Sequence, residues 1–543
     1  MEVKPIELKH QSKLMNDYRD RKESIYKHFE YDPFQLRSYK SRQNLIIDGQ
    51  YQREALVEVL KEQNSRWGMN EQVERHIDEL LDERTTVVIG GQQTGVLTGP
   101  LYTIHKIISI IIQAKEQREH LGCPVVPVFW MAGEDHDFLE VDHIFTYSNQ
   151  RLNKTRVNDQ QPFDYKLPIS KRVLSQEEAK QFIDDVFETF QETEHTKSVY
   201  QSVQDAVAKS ETYVDFFAYL TQQLFALEGL VLVDADDANL RKLERPYFLQ
   251  MVENRRDLAA QVTKQLNELA DDGYHVNLDA SLSDAHLFYH YEGERLLLEV
   301  TKEGQFQSKG GEVSFSESEL KQLVDEHPEL FSNNVVTRPL MQELVFPVLS
   351  FVGGPGEIAY WAALKGAFKA LNLKLPIVTS RLSLTLMKRN HQSLIEHYQM
   401  DEEAVINEGS YHFKMNWLTR QSKYPVKETV EEVKKQLEVV HQPLQSIAQG
   451  VSSDIEALTK TNLKQIEDEI DYVEKRIMSE LNKQHEQTVK QFDELNEFYN
   501  PSGGLQERMW NIVYWLNEYG LDLPIQLTEI PPRWEQDHQF ITL

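Results

Sequence analysis

The chain has 543 residues but only one cysteine, Cys123. A single cysteine excludes an internal disulfide framework and any zinc site built from several thiolates, and it suits a reducing compartment. Because Cys123 precedes the apolar run Val125–Trp130, we interpret it as a buried thiol, since free cysteine packs as a small hydrophobic residue. No run reaches the roughly 20 apolar residues that span a bilayer, and the charged N-terminus has no secretory apolar stretch. The sequence therefore predicts a cytoplasmic protein.

Positive charge is also scarce, because 58 basic residues face 87 acidic ones and give a formal net charge of −29. A surface of this sign repels nucleic acids and anionic lipids, so we expect neither as a partner. The hydrophobic fraction of 40% is sufficient for a large core. A chain of this length exceeds what one core usually serves, so it predicts two or three structural units. The expected partners are small molecules or a second copy of the chain.

Short apolar runs rich in valine alternate with helical stretches along the first 390 residues. Runs of this length and composition favour buried strands over helices. Their alternation with helices is typical of an α/β fold with a mainly parallel, doubly wound sheet. The five runs are Thr85–Ile89, Val125–Met131, Leu230–Val233, Leu344–Phe351 and Leu375–Thr379.

Two polar stretches interrupt this core and are interpreted as insertions. The first is helical in pattern, and the second contains a hairpin with its turn at Glu292–Glu294, between two apolar runs. The predicted segments are a helical N-terminus with the first part of the core (1–150), a helical insertion (151–225), a core segment (226–254), a second insertion (255–330), the second part of the core (331–390), a helical coiled-coil arm (391–499) and a C-terminal segment packing back on the core (500–543).

A sustained heptad rhythm marks the predicted arm, and it is a strong coiled-coil signal. We expect Pro443 to kink the first helix and the two halves to form an antiparallel hairpin joined near Gly450–Ser453. Two interpretations stay open: a helical pair packed on its own core, or an arm for dimerisation. The pattern comprises Val426, Val430, Val433, Leu437, Val440, Leu444, Ile447 and Val451, followed by Leu463, Ile466, Ile470, Val473, Ile477 and Leu481.

The stretch from Val87 to Lys106, VVIGGQQTGVLTGPLYTIHK, is a strand, a glycine-rich loop and a helix. A loop of this kind offers backbone N–H groups and a positive dipole to an anion. Lys106 adds a charge, and Thr98 or Gly99 is expected to cap the helix ahead of Pro100. The alternative is a tight turn followed by a solvated polar helix face. The loop and its helix supply the candidates Gly91, Gln92, Gln93, Gly95, Thr98, Gly99, Tyr102 and Lys106.

The second apolar run ends in PVFWMAGEDHDF. Open α/β sheets bind ligands at the carboxyl ends of their strands, so these polar residues are expected beside the first loop. Carboxylates there would hold an ammonium group or Mg²⁺, and an imidazole would take a proton from an attacking amine. The alternative is an acidic, solvated helix start favoured by the dipole. The candidates are Glu134, Asp135, His136 and Asp137.

The third stretch, RPLMQELVFPVLSFVGGPGEIAYWA, repeats the order of strand, glycine loop and helix. Glu357 with Tyr360 would hold an amino-acid ammonium group, although a carboxylate in a first turn is also ordinary helix electrostatics. Arg338 and Arg381 are candidate clamps for carboxylate or phosphate. Farther on, NPSGGLQER predicts either a turn or an anion-binding loop. The glycine-loop candidates are Gly353, Gly354, Ser502, Gly503 and Gly504, with Arg508 nearby.

These four motifs, in this order and with the coiled coil between the third and the fourth, resemble the cysteine ligase family of bacillithiol biosynthesis over essentially the whole chain. The resemblance implies a Rossmann-like core with connecting insertions, similar in plan to class I aminoacyl-tRNA synthetases. It also implies a coiled-coil arm used for homodimerisation. The implied activity joins L-cysteine to the amine of glucosaminyl malate and forms bacillithiol. The HIGH and KMSKS signatures of the synthetases do not occur in this sequence.

Amide formation requires an activated carboxylate, so we expect ATP as cosubstrate, with Mg²⁺ as a further candidate. The expected catalytic residues are His136, Asp137 and Lys106. The expected substrate-binding residues are Gln92, Gln93, Thr98, Gly99, Tyr102, Glu134, Asp135, Arg338, Glu357, Tyr360 and Arg381. The expected nucleotide-binding residues are Gly91, Gly95, Gly353, Gly354, Ser502, Gly503, Gly504 and Arg508. The rival functions are a nucleotide-sugar-dependent transferase and a non-catalytic coiled-coil scaffold.

Overall fold

Five parallel strands form the central sheet of the computed structural model, which describes residues 1–159, 161, 166–421 and 425–543. Their order is β13-β12-β2-β3-β6. The prediction of a mainly parallel α/β sheet is confirmed. The strands are β1 Glu2–Ile6, β2 Thr86–Gln92, β3 Val125–Met131, β4 His143–Ser148, β5 Arg151–Arg156, β6 Val231–Asp234, β7 Asp284–Tyr291, β8 Glu294–Val300, β9 Phe306–Ser308, β10 Ser314–Phe315, β11 Phe331–Asn333, β12 Val348–Gly353, β13 Ile377–Ser380, β14 Leu384–Met387 and β15 His538–Thr542.

Helices account for most of the remaining regular structure. They are α1 Lys13–Arg19, α2 Glu23–Tyr26, α3 Leu36–Ile47, α4 Arg53–Arg66, α5 Glu71–Glu79, α6 Leu101–Leu121, α7 Gln176–Phe187, α8 Thr196–Lys209, α9 Tyr213–Phe225, α10 Ala238–Asp271, α11 Glu317–Glu326, α12 Thr337–Val345, α13 Pro355–Trp361, α14 Lys365–Ala370, α15 Arg389–His397, α16 Glu402–Glu408, α17 Tyr411–Gln421, α18 Val426–Val451, α19 Ser453–Gln484, α20 Glu486–Tyr499, α21 Ile512–Tyr519 and α22 Leu523–Leu527.

Contacts divide the chain into two units. Unit 1 contains Met1–Ser148, Leu152–Met387 and Glu507–Leu543, and unit 2 contains Asn149–Arg151 and Lys388–Gln506. The boundaries of the predicted segments stay predictions, and parts of two segments lie outside the described residues, namely 160 and 162–165 in the first insertion and 422–424 in the arm.

The strand order places a switch point beside β2. The chain runs from β2 to β3 and β6 on one side of the sheet, and it returns to the other side as β12 and β13. Open parallel sheets bind ligands at the carboxyl ends of the strands next to such a point. The glycine loops after β2 and β12 therefore meet at the edge where a ligand is expected.

The fourth apolar run, predicted as a strand over Leu344–Phe351, is partly helical. Leu344 and Val345 end α12, and the strand begins only at Val348. A buried helix produces the same apolar run as a buried strand, so periodicity alone does not separate them. In the first glycine loop, the predicted cap at Thr98 or Gly99 is wrong, because Pro100 occupies the N-cap position and α6 begins at Leu101.

A second sheet of unit 1 has the order β10-β9-β8-β7-β11. Its first hairpin confirms the predicted turn, with Glu292 and Gly293 at φ values of 50° and 86° and Glu294 opening β8. The third sheet, β1-β15-β14, was not predicted, since the first 84 residues were expected to be helical. Strand β1 pairs with β15 antiparallel, so Glu2 lies opposite Thr542. No local pattern signals a partner so distant along the chain.

Within unit 2, α18 and α19 form the predicted antiparallel hairpin. Lys434 pairs with Asp471 at 2.5 Å and His441 lies 3.1 Å from Asn462, so residues pair in opposite chain directions. The two helices meet at Ser452, inside the predicted range Gly450–Ser453.

The interpretation of Cys123 as a buried thiol is also confirmed, and burial raises its pKa. This cysteine belongs to unit 1.

Candidate active site

A cavity of about 1090 Å³ lies within unit 1, at the carboxyl ends of β2, β3 and β12 and beside the second sheet. Ligand cavities in proteins are commonly about 300–1000 Å³, so this one has room for more than one small substrate. The predicted residues that line it are Gly91, Gln92, Gln93, Tyr102, Lys106, Glu134, Asp135, His136, Asp137, Arg338, Gly354, Glu357, Tyr360, Arg381 and Arg508.

Four predicted residues of unit 1 do not line the cavity: Gly95, Thr98, Gly99 and Gly353. The loop from 96 to 99 turns away, because Leu97, Thr98 and Gly99 have φ values of 51°, 71° and 70°. Gly95 packs against the same turn, where a Cβ would lie 2.9 Å from the Cα of Gly99. Ser502, Gly503 and Gly504 belong to unit 2.

Lys106 connects the first glycine loop to the helix that follows β12. Its Nζ donates to Gly91 O at 2.7 Å, Gln92 Oε1 at 2.9 Å and Glu357 Oε2 at 2.5 Å. The ammonium has three donors, and each has an acceptor. Burial lowers the pKa of Lys106, while the carboxylate of Glu357 opposes that shift.

Of the other polar residues on this face of α6, His105, Ser109 and Gln113 are each at most 1% exposed, and Tyr102 is half-buried and lines the cavity. The alternative of a solvated polar helix face is therefore wrong. The face is polar because it binds other parts of unit 1 through hydrogen bonds.

Glu357 occupies the first turn of α13. The N–H of Gly354 donates to its Oε2 at 2.8 Å, which caps the helix. Glu357 therefore stabilises the start of its own helix, as a carboxylate in a first turn ordinarily does. The same oxygen also accepts a hydrogen bond from Lys106. The pair fixes the two glycine loops against each other at the switch point.

Arg338 lies in the first turn of α12 and bonds through Nη2 to Tyr360 Oη. Its Nε is buried without a hydrogen-bond partner among the residues described. Burial raises the pKa of Tyr360 to about 12, so the phenol stays protonated at neutral pH. A half-buried guanidinium with a donor to spare is suited to an anionic ligand.

Arg381 is held by a carboxylate that is not among the predicted site residues. Its Nη1 and Nη2 donate to Glu507 at 2.7 and 2.6 Å, and His105 Nδ1 lies 2.9 Å from the same carboxylate. Burial opposes ionisation of Glu507, but Arg381 and His105 together hold its pKa well below the usual range. Both ends of the guanidinium fork are therefore engaged within the protein. Glu507 lies within the motif NPSGGLQER, from which only the glycine loop and Arg508 are predicted as site residues.

The acidic strand end after β3 also lines the cavity. Glu134 is 3% exposed, its Oε2 has no partner among the described residues, and burial raises its pKa against the effect of Arg241 and Arg295. Asp135 accepts from Gln93 Nε2 at 2.8 Å.

The imidazole of His136 lies at the same strand end. Burial lowers its pKa, while Asp137, 3.8 Å from Nε2, opposes that shift. The ring is therefore neutral at pH 7 and available as a base.

The second sheet supplies a wall of the cavity that the sequence motifs do not predict. Arg295 stacks on the ring of Phe288 at 3.8 Å and donates through Nη2 to Asn333 O at 2.6 Å. Its Nη1 lies 3.9 Å from Asp135, on the Rossmann-like side. The only local signal is an arginine directly before the apolar run Leu296–Leu298 of a hairpin strand.

Two family models cover nearly all of the chain. The model described as "Bacillithiol biosynthesis BshC, N-terminal Rossmann-like domain" matches residues 1–382. The model described as "Bacillithiol biosynthesis BshC, C-terminal coiled-coil domain" matches residues 384–543. The chain belongs to the BshC family. The predicted family resemblance is confirmed, and so is the combination of a Rossmann-like core with a helical coiled coil.

Relatives in this BshC family match over their full length. A protein of Oceanobacillus iheyensis is 35% identical over 545 residues, covering 100% of both chains. Proteins of Bacillus anthracis and Bacillus cereus are each 38% identical over 543 residues, again covering 100% of both. Each relative has the name "Putative cysteine ligase BshC". Among the helices described for this BshC member, none is long and apolar enough to cross a membrane.

Proposed function

We propose that this chain is a cytoplasmic cysteine ligase that joins L-cysteine to the amine of glucosaminyl malate and forms bacillithiol. Membership of the BshC family and the names of its relatives support the reaction class. The observation that carries the proposal is that one cavity combines cationic and acidic side chains. Arg338, Arg381 and Arg508 line it, and so do Glu134, Asp135 and Glu357. Carboxylates and amines, the groups that the reaction joins, suit these two kinds of side chain.

A carboxylate is a poor electrophile, so we propose that ATP activates the cysteine carboxylate. Arg338 would bind an anionic group through its unpartnered Nε, and Arg508 adds a second cation to the same cavity. Malate carboxylates and nucleotide phosphates are both anionic groups that these two cations could bind. Among the described residues, no group of three or more His, Cys, Asp and Glu side chains is arranged to hold a metal ion. Any Mg²⁺ would therefore depend mainly on nucleotide phosphates, as Mg²⁺ commonly does.

The amine of glucosaminyl malate must lose a proton when its nitrogen bonds to the activated carbonyl carbon and the phosphate-bearing group leaves. His136 is the proposed base, with Asp137 beside it as the alternative. The cysteine ammonium would be bound by Glu357 with Tyr360, or by Glu134 and Asp135. Lys106 would keep the first glycine loop in place and stabilise any negative charge that develops beside it.

Replacing His136 by asparagine is expected to lower turnover about 10²- to 10⁴-fold, the usual contribution of a general base. Wild-type turnover should rise with pH through a midpoint below the ordinary histidine pKa of 6.5, because burial lowers the pKa of His136. The His136→Asn variant should no longer show this rise of turnover with pH. Initial rates measured by mass spectrometry from pH 5 to 9 test both points. His143→Asn is the matched control, since His143 is outside the cavity lining and pairs with Asp142. Equal loss in both variants would contradict the assignment.

The reaction itself is tested by incubating the purified protein with glucosaminyl malate, cysteine and ATP. Bacillithiol formed with AMP would indicate adenylation of cysteine, and bacillithiol formed with ADP would indicate an acyl phosphate. Turnover of a nucleotide sugar without any need for cysteine would instead support the rival transferase. A protein that binds neither substrate would support the scaffold.

We further propose that the α18–α19 hairpin forms a homodimer. Several of its heptad residues are exposed although the two helices pack on each other, with Val440, Ile447 and Val451 at 73%, 66% and 66%. Exposed apolar stripes of this kind mark association surfaces. A second copy would present the same stripe, as a twofold interface requires.

Glutamate at both Leu444 and Ile447 is expected to convert the dimer into a monomer, because burying these charges without partners is costly. Size-exclusion chromatography with light scattering measures the mass. Glutamate at Gln442 and Gln449 adds the same charge to exposed positions of the same helix and should leave the dimer intact. A monomeric wild-type protein at micromolar concentration would overturn the proposal.

A further inference from the structure

The second sheet places in the cavity one polar side chain that has no hydrogen-bond partner among the described residues. Asn333 ends β11, lines the cavity and is 2% exposed. Both the oxygen and the nitrogen of its side-chain amide are buried without a hydrogen-bond partner among the residues described. Burial of an amide without partners is costly, so such a group in a cavity indicates that a ligand completes it.

The backbone of Asn333 is held firmly. Arg295 donates to its carbonyl at 2.6 Å through Nη2 and to Ser332 Oγ at 3.0 Å through Nε. The same guanidinium stacks on Phe288, which also lines the cavity. The free amide is thus a positioned group on a strand end and not a mobile surface side chain.

Glu134 faces the same guanidinium from the Rossmann-like side. Its Oε2 is buried without a partner among the described residues, and Arg295 acts on its carboxyl group electrostatically. Asp135, the next residue, lies 3.9 Å from Arg295 Nη1. Arg295 therefore connects Asn333 and the Glu134–Asp135 strand end into one wall.

The unpartnered atoms of this wall restrict the class of ligand. The amide needs one group that accepts and one that donates, and the ionised form of Glu134 needs a donor. A phosphate or carboxylate accepts only, so it would leave the amide oxygen of Asn333 without a donor. An ammonium group donates only and would leave the amide nitrogen without a partner. Neighbouring hydroxyl groups donate and accept at once, so a polyhydroxylated ring satisfies all three atoms.

We propose that Asn333 and Glu134 bind the hydroxyl groups of the glucosamine ring, beside the apolar surface of Phe288. This inference rests on the proposed function and names the part of the substrate that the second sheet recognises. Arg338 follows Asn333 by five residues, at the start of α12, and lines the same cavity. One segment of chain thus supplies the sugar contact and the proposed contact for the malate carboxylates. The cysteine ammonium is then left to Glu357 and Tyr360.

The test compares glucosaminyl malate with each of its two halves. Isothermal titration of the full chain measures the affinity for glucosaminyl malate, malate and glucosamine. Asn333→Ala is expected to weaken binding of glucosaminyl malate about 10- to 100-fold, as loss of hydrogen bonds from buried polar groups does. Binding of malate and the KM for cysteine should stay unchanged. Asn333→Asp keeps the shape but loses the donor, and it should also weaken sugar binding.

Asn277→Ala is the matched control, because Asn277 lines the same cavity but is exposed. It should bind glucosaminyl malate as the wild type does, and thermal melting checks that all variants are folded. Unchanged affinity in both Asn333 variants, with tight wild-type binding, would overturn the sugar assignment and leave the ligase proposal standing. Equal weakening of malate and glucosaminyl malate would also overturn it. A different outcome is that the wild type binds glucosamine but not glucosaminyl malate, and that Asn333→Ala no longer binds glucosamine. This outcome would support the sugar assignment and contradict the ligase proposal. A wild-type protein that binds none of the three overturns both.

Discussion

Replacement of Glu507 by glutamine is expected to lower the free energy of unfolding by about 3–5 kcal/mol. The side chains of Glu507, Arg381 and His105 are at most 6% exposed, and the carboxylate bonds to both neighbours. An amide keeps the shape but removes the charge, so the guanidinium is left buried without a counterion. Breaking a buried pair from one side costs more than the pair itself contributes.

Urea unfolding at pH 7, followed by circular dichroism, measures this loss. Glu535→Gln is the control, because Glu535 pairs with Arg21 at an exposed position, with side chains 61% and 40% exposed. An exposed pair contributes about 0–1 kcal/mol, so this variant should unfold almost as the wild type does.

The effect should also depend on pH. The pKa of Glu507 is held well below its ordinary value of 4.5, so its contribution is complete above that value and is lost as the pH falls toward the folded pKa. Equal stability of Glu507→Gln and the wild type at pH 7 would contradict the role of this network.

Replacement of Lys106 by methionine is expected to lower turnover about 10²- to 10³-fold, the loss typical of removing one preorganised electrostatic group. Methionine fills a similar apolar volume, but it cannot hold Gly91 O, Gln92 and Glu357 together. The two glycine loops would lose their common contact at the switch point. Rates measured with cysteine, glucosaminyl malate and ATP test this expectation.

Lys115→Met is the matched control on the same helix. Lys115 is 48% exposed and pairs with Glu228 outside the cavity, so its loss should change turnover less than about twofold. A folded Lys106→Met variant with near-normal turnover would remove Lys106 from the catalytic arrangement. Thermal melting of each variant before the assay distinguishes a loss of activity from a loss of folding.

The Rossmann-like side of the cavity was predictable because its residues follow apolar strands. Glu134 and Asp135 come after β3, and Glu357 comes after β12, so the rule for parallel sheets brings them together. Thr98 was predicted beside them and lies elsewhere, since the loop has a left-handed turn that residue types alone do not specify. Backbone direction in a loop depends on tertiary contacts, such as Asn511 binding the carbonyls of Leu97 and Gly99 at 2.8 and 2.6 Å.

The other side of the cavity was not predictable. The hairpin containing Arg295 was recognised from its turn and its apolar strands, which are local features. Its packing against the Rossmann-like strand ends joins residues more than 150 positions apart, as Arg295 and Asp135 show. The same reason explains why Glu507 was missed, because its partners Arg381 and His105 lie 126 and 402 positions away along the chain.

The pairing of β15 between β1 and β14 has a consequence for biosynthesis. A ribosome releases all of Lys388–Gln506 before Glu507–Leu543, although the later segment completes unit 1. Strands β1 and β14 therefore cannot pair with β15, and Arg381 cannot pair with Glu507, until this last segment has been synthesised. The nascent protein passes through a stage in which unit 2 is fully synthesised while unit 1 still has an open sheet edge. Open edges favour pairing with other chains, so this stage is where assistance from chaperones would matter most.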